Sequence, residues 1–488
     1  MQMLDFLHTI FTVDMVKQIL KVIEVFFVLY LAGYSTFLFA SVLVGSNQLF
    51  ADIKKRQLHN AIHHDYYVPI SIIVPAYNEE VTIAQTVRSL LNLDYRTYEI
   101  IVVNDGSKDS TADLMISTFN LHQVQRPIRR QVMCKDQISV YEGSSESGVP
   151  ITLINKENGG KADSINMGIN AAKYPYFVCM DADSILQRDS LTKIATPVLE
   201  NQNVIAVGSM IRISNDSVFE NGQLVQLRLP RKLIAAFQVL EYERSFLASR
   251  ILLDKFNANL IISGAFGLFR KDAVINVGGY QVGSMGEDME LIVKLHSYYR
   301  SNRLPYSIKY AYEAVCWTQA PERLRDLIKQ RKRWHIGLLQ SMTRHVSMIT
   351  CGSYIYYLLY ELLSPVIELV GIFVTILAYC FGLLNLKYML ILFLVYALFG
   401  SMLTIISFLA RNFLSDIRVR KRDVIKAFLL CIPENILIRF VLAWTRLFSI
   451  LFYRGKKTKW GSIKRYAIDY DSNKSTEQSA LNCISSEQ

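Results

Sequence analysis

Charged side chains are scarce in this chain. Asp, Glu, Lys and Arg make up 19% of its 488 residues, below the quarter usual for soluble proteins, while 51% are hydrophobic. A wholly water-solvated architecture is excluded. Cysteine pairing is missing as well: the seven cysteines are scattered, with no CxxC pair and no metal-ligand spacing. Cys179, Cys351, Cys380 and Cys431 sit in apolar runs, so we read reduced, buried thiols rather than a disulfide framework. No internal repeat is present. The net charge of +11 is not spread as a nucleic-acid surface requires. Basic residues gather at Lys54-Lys55-Arg56, Arg418 to Arg422 and Arg454 to Arg465, beside apolar runs, as cytoplasmic membrane flanks do. The partner this implies is a lipid bilayer, not nucleic acid.

Val22 to Val44 is apolar apart from Glu24 and long enough to cross a bilayer core, which takes about 20 residues. It is too long for a cleaved signal peptide, and Asp5 and Asp14 stand where a basic n-region would be. Lys54 to Arg56 place its C-terminal end in the cytoplasm. Later, Tyr354 to Phe381 and Tyr388 to Ala410 read as an antiparallel pair of spans joined by Gly382 to Lys387. Glu361 and Glu368 inside the first are costly in lipid and should face protein or headgroups. The run Val424 to Tyr453 is interrupted by Pro433-Glu434, Arg439 and Arg446 and is flanked by basic tracts. An interfacial or re-entrant segment fits it better than a crossing. The tail beyond Asp469, rich in Ser, Asn and Gln, is expected to be disordered. The expected organisation is therefore a spanning helix and linker over 1–67, a catalytic domain over 68–345, a membrane region over 346–453 and a cytoplasmic tail over 454–488, in a multi-pass plasma-membrane protein with its catalytic domain in the cytoplasm.

Between Pro69 and about Ala320, short β-branched runs alternate with amphipathic stretches. Ile70 to Val74, Ile100 to Val103, Thr152 to Ile154 and Tyr176 to Met180 read as strands; Glu79 to Leu91, Ser110 to Phe119 and Lys161 to Ala172 read as helices. The alternation predicts an α/β domain with a mainly parallel sheet whose ligands sit at the C-terminal strand ends. Gln125 to Gly148 has no clear period and reads as a surface insertion. His59, His63 and His64 cluster with Asp65, but a solvated linker explains them better than metal binding.

Five motifs fall in this block and just beyond it. Asp181-Ala182-Asp183 follows a buried strand, and its carboxylates suit a hard divalent cation that neutralises phosphate charge; alone, an acidic turn is common. Asp105, ending the preceding strand pair in VVNDGS, reads as a contact to the nucleoside side of a donor or as a cap for the helix after Asp109. Lys161 follows Gly159-Gly160 and opens a helix, a setting for pyrophosphate. Glu287-Asp288 begins a helix, where acids also serve the dipole; Asp288 is the candidate general base for an acceptor hydroxyl. One base without a second carboxylate nucleophile implies a single, inverting displacement. In Gln330-Arg331-Lys332-Arg333-Trp334, the arginines suit phosphate and the indole a sugar face, with Gln330 and Trp334 neighbours at i,i+4. An amphipathic helix on the membrane is the plainer reading, and both can hold.

With these residues in hand, the chain resembles the family 2 glycosyltransferases that make extracellular β-polysaccharides, the cellulose, hyaluronan and poly-N-acetylglucosamine synthases. The likeness runs from Val68 to His345 and rests on PAYNEE, VVNDGS, NGGKADSIN, DADS, SGAFGLFR, GEDMEL and QRKRW. It implies a GT-A fold, a UDP-sugar donor, a growing glycan acceptor, and Mg2+ or Mn2+. By motif, Tyr77, Glu79 and Asp105 would hold the nucleoside, and Lys161, Asp181 and Asp183 the diphosphate and metal. Asp288 would be the base beside Glu287. Gly264, Ala265 and Phe266 would line the acceptor site, and Gln330, Arg331, Arg333 and Trp334 would frame acceptor and pyrophosphate. The membrane part is smaller than in the cellulose synthase type, which leaves room for a small membrane or export partner subunit. NGGKAD and the short membrane part are nearest the poly-N-acetylglucosamine synthase pattern. A lipid-linked monosaccharide transferase would need no Gln-x-x-Arg-Trp cluster, and a non-catalytic nucleotide-sugar receptor would need no Asp288.

Overall fold

The computed structural model describes residues 13–59, 67–220, 223–380, 382, 385–414 and 419–453. His63, His64 and Asp65, Arg418, and the tail from Arg454 onward lie outside the described residues.

A long helix α1 (Val13–His59) precedes the polar block. There follow β1 (Ile70–Ala76), α2 (Ile83–Leu91), β2 (Tyr98–Asn104), α3 (Thr111–Phe119), β3 (His122–Val124), β4 (Gln137–Ser144) and β5 (Pro150–Lys156). Next come α4 (Lys161–Ala171), β6 (Tyr176–Met180), β7 (Ile185–Leu186), α5 (Ser190–Glu200), β8 (Val204–Ile213), and a small ribbon of β9 (Val218–Glu220) and β10 (Gln223–Gln226). The block closes with α6 (Leu233–Tyr242), α7 (Arg250–Lys255), β11 (Phe266–Arg270), α8 (Lys271–Asn276), α9 (Glu287–Ser301), β12 (Ser307–Thr318) and α10 (Leu324–Arg344).

The main sheet has ten strands in the order β3-β4-β5-β2-β1-β6-β11-β8-β12-β7. Its centre is built from continuous β-branched runs, and Ile70, Ile72, Ile73 and Ile100 to Val103 have no exposed surface. Such unbroken burial requires helices on both faces and is the mark of parallel strands. Pairs β5-β2, β2-β1, β1-β6 and β8-β12 are parallel, as the alternation predicts. The sheet as a whole is mixed, however, not mainly parallel. Strand β11 runs antiparallel between β6 and β8, and β4 pairs antiparallel with both β3 and β5. The inversion of β11 has a consequence for chemistry. Phe266 pairs with Met180, so the residues just before β11, Gly264 and Ala265, are set beside Asp181.

The expectation of a surface insertion over Gln125 to Gly148 is likewise corrected, since this segment supplies β4. It is stitched to α4 by three polar side chains on one helical face. Asp163 accepts from Lys135 N at 3.0 Å, Asn166 donates to Met133 O at 3.1 Å, and Asn170 accepts from Gln131 and Val132 N at 2.8 and 2.9 Å. Positions 163, 166 and 170 share a face because i, i+3 and i+7 do.

Within α1, Leu20–Gln48 is long and apolar enough to cross a membrane. The expected single span Tyr354 to Phe381 is instead broken. α11 (Gly352–Tyr356) runs into a π-helical segment, Tyr357–Leu362, and the chain then bends by 50° into α12 (Ser364–Cys380). Pro365 at the bend has no N–H to continue the ladder. The first half is held elsewhere: Tyr354, Tyr357 and Leu362 are buried in a cluster with Leu253, Leu260 and Met289 of the polar block. α13 (Leu386–Leu414) packs along α1. Val424 to Tyr453 forms α14 (Lys421–Pro433), a π-helical turn Glu434–Ile438, and α15 (Arg439–Leu451) lying along α10. Two of its charged interruptions are paired. Glu434 takes a forked ion pair from Arg244 at 2.9 and 3.1 Å, and Arg439 donates to Glu368 at 2.6 Å.

Candidate active site

Strands β1, β2, β5 and β6 deliver their C-terminal ends to one crevice. At its inner edge Asp105 is almost fully buried, and both its oxygens are taken. Oδ1 accepts from Lys156 Nζ at 2.8 Å and Gly159 N at 2.9 Å, and Oδ2 accepts from Gly160 N at 2.7 Å. Lys156, itself without exposed surface, also reaches Asp163 at 3.2 Å. A carboxylate so engaged does not cap α3, whose N-cap position is Ser110; Asp109 just before it accepts from Thr111 N at 3.1 Å. The work of Asp105 here is to fix the turn Gly159-Gly160, where Gly160 at φ +91° uses a conformation that side chains disfavour. That turn opens α4 and presents Lys161. Tyr77 is half-exposed at the crevice mouth and Glu79 lies buried beneath it. The expected helix from Glu79 begins at Ile83, because Glu79 spends its side chain on Thr82, accepting from Oγ1 at 2.8 Å.

Lys161 bonds Asp181 and lies 3.7 Å from Glu287. Burial opposes its charge, but the two carboxylates outweigh that and raise its pKa above the ordinary lysine value. Burial raises the Glu287 carboxyl, Lys161 offsetting this in part and Asp288 adding to it. Asp288 is oriented at both oxygens: Oδ2 accepts from Gly264 N at 3.2 Å and Oδ1 from Met289 N at 2.8 Å. A side chain at Gly264 would stand 3.1 Å from Lys161 Nζ and 3.6 Å from Asp288 Cβ, so glycine keeps this centre open. Ala265 shares the lining. Phe266 does not; it has no exposed surface and belongs to the core behind. Cys179 nearby is a structural thiol, pushed up to about 12 by burial.

Helix α10 forms the opposite wall. Trp334 is 39% exposed, the largest apolar surface facing the crevice from this helix. Arg331, expected near phosphate, is instead buried and forked onto Glu241 of α6 at 2.8 Å through both terminal nitrogens. Its guanidinium lies 4.4 Å from the Trp334 ring, so it supports the indole from behind. Gln330 and Arg333 line the crevice. The two walls meet at a glycine pair. A Cβ on Gly337 would come within 2.7 Å of Gly286 Cα and N, so the backbones of α10 and of the turn opening α9 touch just before Asp288. Composition gave no hint of Lys156 or Glu241. Gly337, a lone glycine inside a helical pattern, was the one available signal, because such a residue usually has a packing reason.

These groups open on one cavity of about 1750 Å³, lined from Tyr77 and Asp105 through Asp181, Asp183 and Asp288 to Trp334, and onward to Tyr357, Glu361 and Arg446. Among the described residues no three His, Cys, Asp or Glu side chains converge as a complete metal cage. Asp181 and Asp183 supply two carboxylates at the cavity wall, which fits Mg2+ or Mn2+ bound through one or two carboxylates and completed by substrate phosphates.

Lys161 beside Asp181, the oriented Asp288 carboxylate and the exposed Trp334 ring thus line one cavity on a mixed α/β sheet of the GT-A type. Comparison with known proteins agrees. Residues 71–131 match the model for "Glycosyl transferase family 2" and residues 132–337 that for "Glycosyltransferase like family 2". The chain belongs to glycosyltransferase family 2. It is 27% identical over 408 residues to a poly-beta-1,6-N-acetyl-D-glucosamine synthase of Staphylococcus epidermidis, covering 81% of this chain and 87% of that one. A protein of the same name from Staphylococcus aureus (strain COL) is 29% identical over 353 residues, 71% and 74% of the two chains. Among solved structures, the Pyrobaculum calidifontis mannosyltransferase PcManGT, in complex with GDP-Man and Mn2+, is 18% identical with a TM-score of 0.47 over 83% of this chain and 98% of that one.

Proposed function

We propose that this glycosyltransferase is a membrane-embedded, inverting enzyme that extends a β-linked extracellular glycan with N-acetylglucosamine from its UDP-activated form. One observation carries the reading: a single cavity joins the donor residues, the oriented Asp288 and the Trp334 platform, then continues to the broken helix at Tyr357 and Glu361. Its volume of about 1750 Å³ exceeds the roughly 300–1,000 Å³ of a single small-molecule site, leaving space for more than a donor. The name shared by the Staphylococcus relatives supports N-acetylglucosamine and a polymer product.

Asp181 and Asp183 would hold the divalent cation, which when bound supplies charge neutralisation to the leaving diphosphate. Lys161, kept charged by its carboxylate neighbours, adds fixed positive charge on the same side, and Arg333 adds it from the α10 wall. Trp334 and Gln330 hold the acceptor's terminal sugar against Asp288. The carboxylate takes the proton from the attacking hydroxyl as the bond to the anomeric carbon forms and UDP departs. Gly264 N and Met289 N keep that carboxylate aimed. With one base and no carboxylate nucleophile, the α-linked donor gives a β-linked product.

Membranes holding the protein, given individual UDP-sugars and metal, should form a polymer from UDP-N-acetylglucosamine, sized by gel or mass spectrometry. Trp334→Ala should shorten it. A single-sugar glycolipid made at an unchanged rate by Trp334→Ala would replace the polymer reading with a lipid-linked transferase. The catalytic domain and C-terminus belong to the cytoplasm on this reading, from Lys54 to Arg56 and Arg420 to Arg422; a reporter after Gln488 that registers the exterior would overturn that topology.

A further inference from the structure

Beyond Trp334 the cavity turns toward the membrane helices, and its polar lining there is left unsatisfied. His335, the next residue on α10, is 4% exposed and lines the cavity, yet its Nε2 has no hydrogen-bond partner. Arg250 Nη1, across the cavity on α7, is also buried without one. Its guanidinium lies 4.0 Å from the Phe246 ring, whose residue lines the same stretch. A buried polar atom left unpaired costs folding free energy, so these groups are best explained by a ligand that completes them. Burial, with Arg446 adding to it, lowers the His335 pKa to about 3. The ring is therefore a neutral donor or acceptor at working pH, suited to a hydroxyl or amide of a sugar. Three π-helical segments, Glu243–Ser249, Tyr357–Leu362 and Glu434–Ile438, occur in this region, and the first two line the cavity; such distortions recur at functional sites.

We infer that His335 and Arg250, with Phe246 as an apolar face, form a subsite for the glycan units behind the acceptor's terminal sugar, so that the enzyme grips a longer acceptor better than a short one. The inference rests on the polymerase reading and adds to it a residue that reads acceptor length.

The test uses the full-length protein in detergent or nanodiscs with UDP-N-acetylglucosamine, and β-1,6-linked N-acetylglucosamine acceptors of two and of five units. Wild type should show a lower KM for the longer acceptor. His335→Leu should raise the KM for the five-unit acceptor by about three- to tenfold, the scale of one hydrogen bond, while the two-unit KM moves much less. His335→Gln, which keeps a neutral polar group, should restore part of the length preference. An equal change for both acceptors, or none, in His335→Leu overturns the subsite while the polymerase reading stands. Wild type that extends neither acceptor overturns both. Where His335→Leu does not fold, Arg250→Met serves in its place, with the same loss of length preference expected and an unchanged preference counting against the subsite.

Discussion

The two ends of the cavity differ in how far their buried charges and polar groups are satisfied within the protein. At the donor end, buried charges satisfy one another: Lys156 holds Asp105 and Asp163, Asp105 holds the Gly159-Gly160 turn, and Lys161 sits on Asp181. At the acceptor end, Gln330 Oε1, His335 Nε2 and Ser284 Oγ are buried with nothing bonded to them. A donor returns with one shape at every turnover, so a frame fixed in advance loses nothing and avoids reorganisation at the moment of reaction. An acceptor that lengthens must be gripped and released, which favours contacts completed by the ligand itself. Asp288 stands between, with both oxygens aimed by backbone N–H groups.

The largest effect should come from that middle position. Asp288→Asn keeps the size but only one of the two backbone contacts, since its amide nitrogen cannot accept from an N–H. It cannot accept the proton, so transfer should fall by roughly 10²–10⁴ while UDP binding survives. Single-turnover transfer and UDP affinity measured on one preparation check this, and near-normal turnover would reject the assignment.

Next comes the donor frame. Lys156→Met leaves Asp105 and Asp163 buried without their shared cation, a loss of about 3–5 kcal/mol when one partner of a buried pair is removed. The thermal midpoint in detergent should drop clearly, and UDP affinity should weaken with it because the Gly159-Gly160 turn loosens. If Lys156→Met melts as wild type does, the donor end is not the locked frame described.

The joint between the ends is more subtle. Gly337→Ala puts a methyl within 2.7 Å of the Gly286 backbone, so the turn before Asp288 must move relative to Trp334. Misplacement of about 1 Å far from the chemistry can cost on the order of 10²-fold. The loss should fall on kcat, with donor affinity spared. A variant that loses donor affinity and kcat together would mean the glycine contact supports the whole domain rather than the alignment of its two walls.

Much of this was legible in the sequence, for physical reasons. The central strands are unbroken β-branched runs because both faces are covered, so Tyr176 to Met180 was found with its observed limits and the acidic motifs fell at strand ends. Direction was not legible in a run as short as β11, whose inversion sets Gly264 beside Asp181 and Asp288. Gln125 to Gly148 concealed β4, a partly buried strand one place in from the sheet edge, because the segment's hold on the fold comes from pairing with β5 and from side chains on α4, not from its own pattern. Tyr354 to Phe381 read as one span since its apolar first half is as hydrophobic as a spanning segment; that half is buried against the polar block, and beyond the bend at Pro365 Phe373 and Ile376 are exposed. Arg331 resembled a phosphate ligand, and only proximity to Glu241, 90 residues away, reveals it as the support of Trp334. Pairings across such distances leave no local trace.

The smallest effect tests the neutral His335 ring at the acceptor end. The folded-state pKa of His335 is about 3, against 6.5 for a free imidazole. Below pH 6.5 the unfolded chain therefore binds a proton that the folded ring refuses, and the stability His335 permits above 6.5 is lost as pH falls toward 3. Well inside that window the slope is about 1.4 kcal/mol per pH unit, or roughly 2 kcal/mol between pH 6.5 and 5. His296, lowered to about 4 by burial, adds in the same direction. Asp254, raised to about 6 by burial, opposes it. These groups are common to wild type and His335→Gln, so the difference between the two isolates the one ring. At pH 7.5 the variant should melt below wild type because its side chain fits the site less well. By pH 5 wild type should have lost about 2 kcal/mol more than His335→Gln, closing or reversing the gap. Thermal midpoints that stay a fixed distance apart from pH 7.5 to 5 would show that the His335 position tolerates a charge, and would end its reading as a neutral contact.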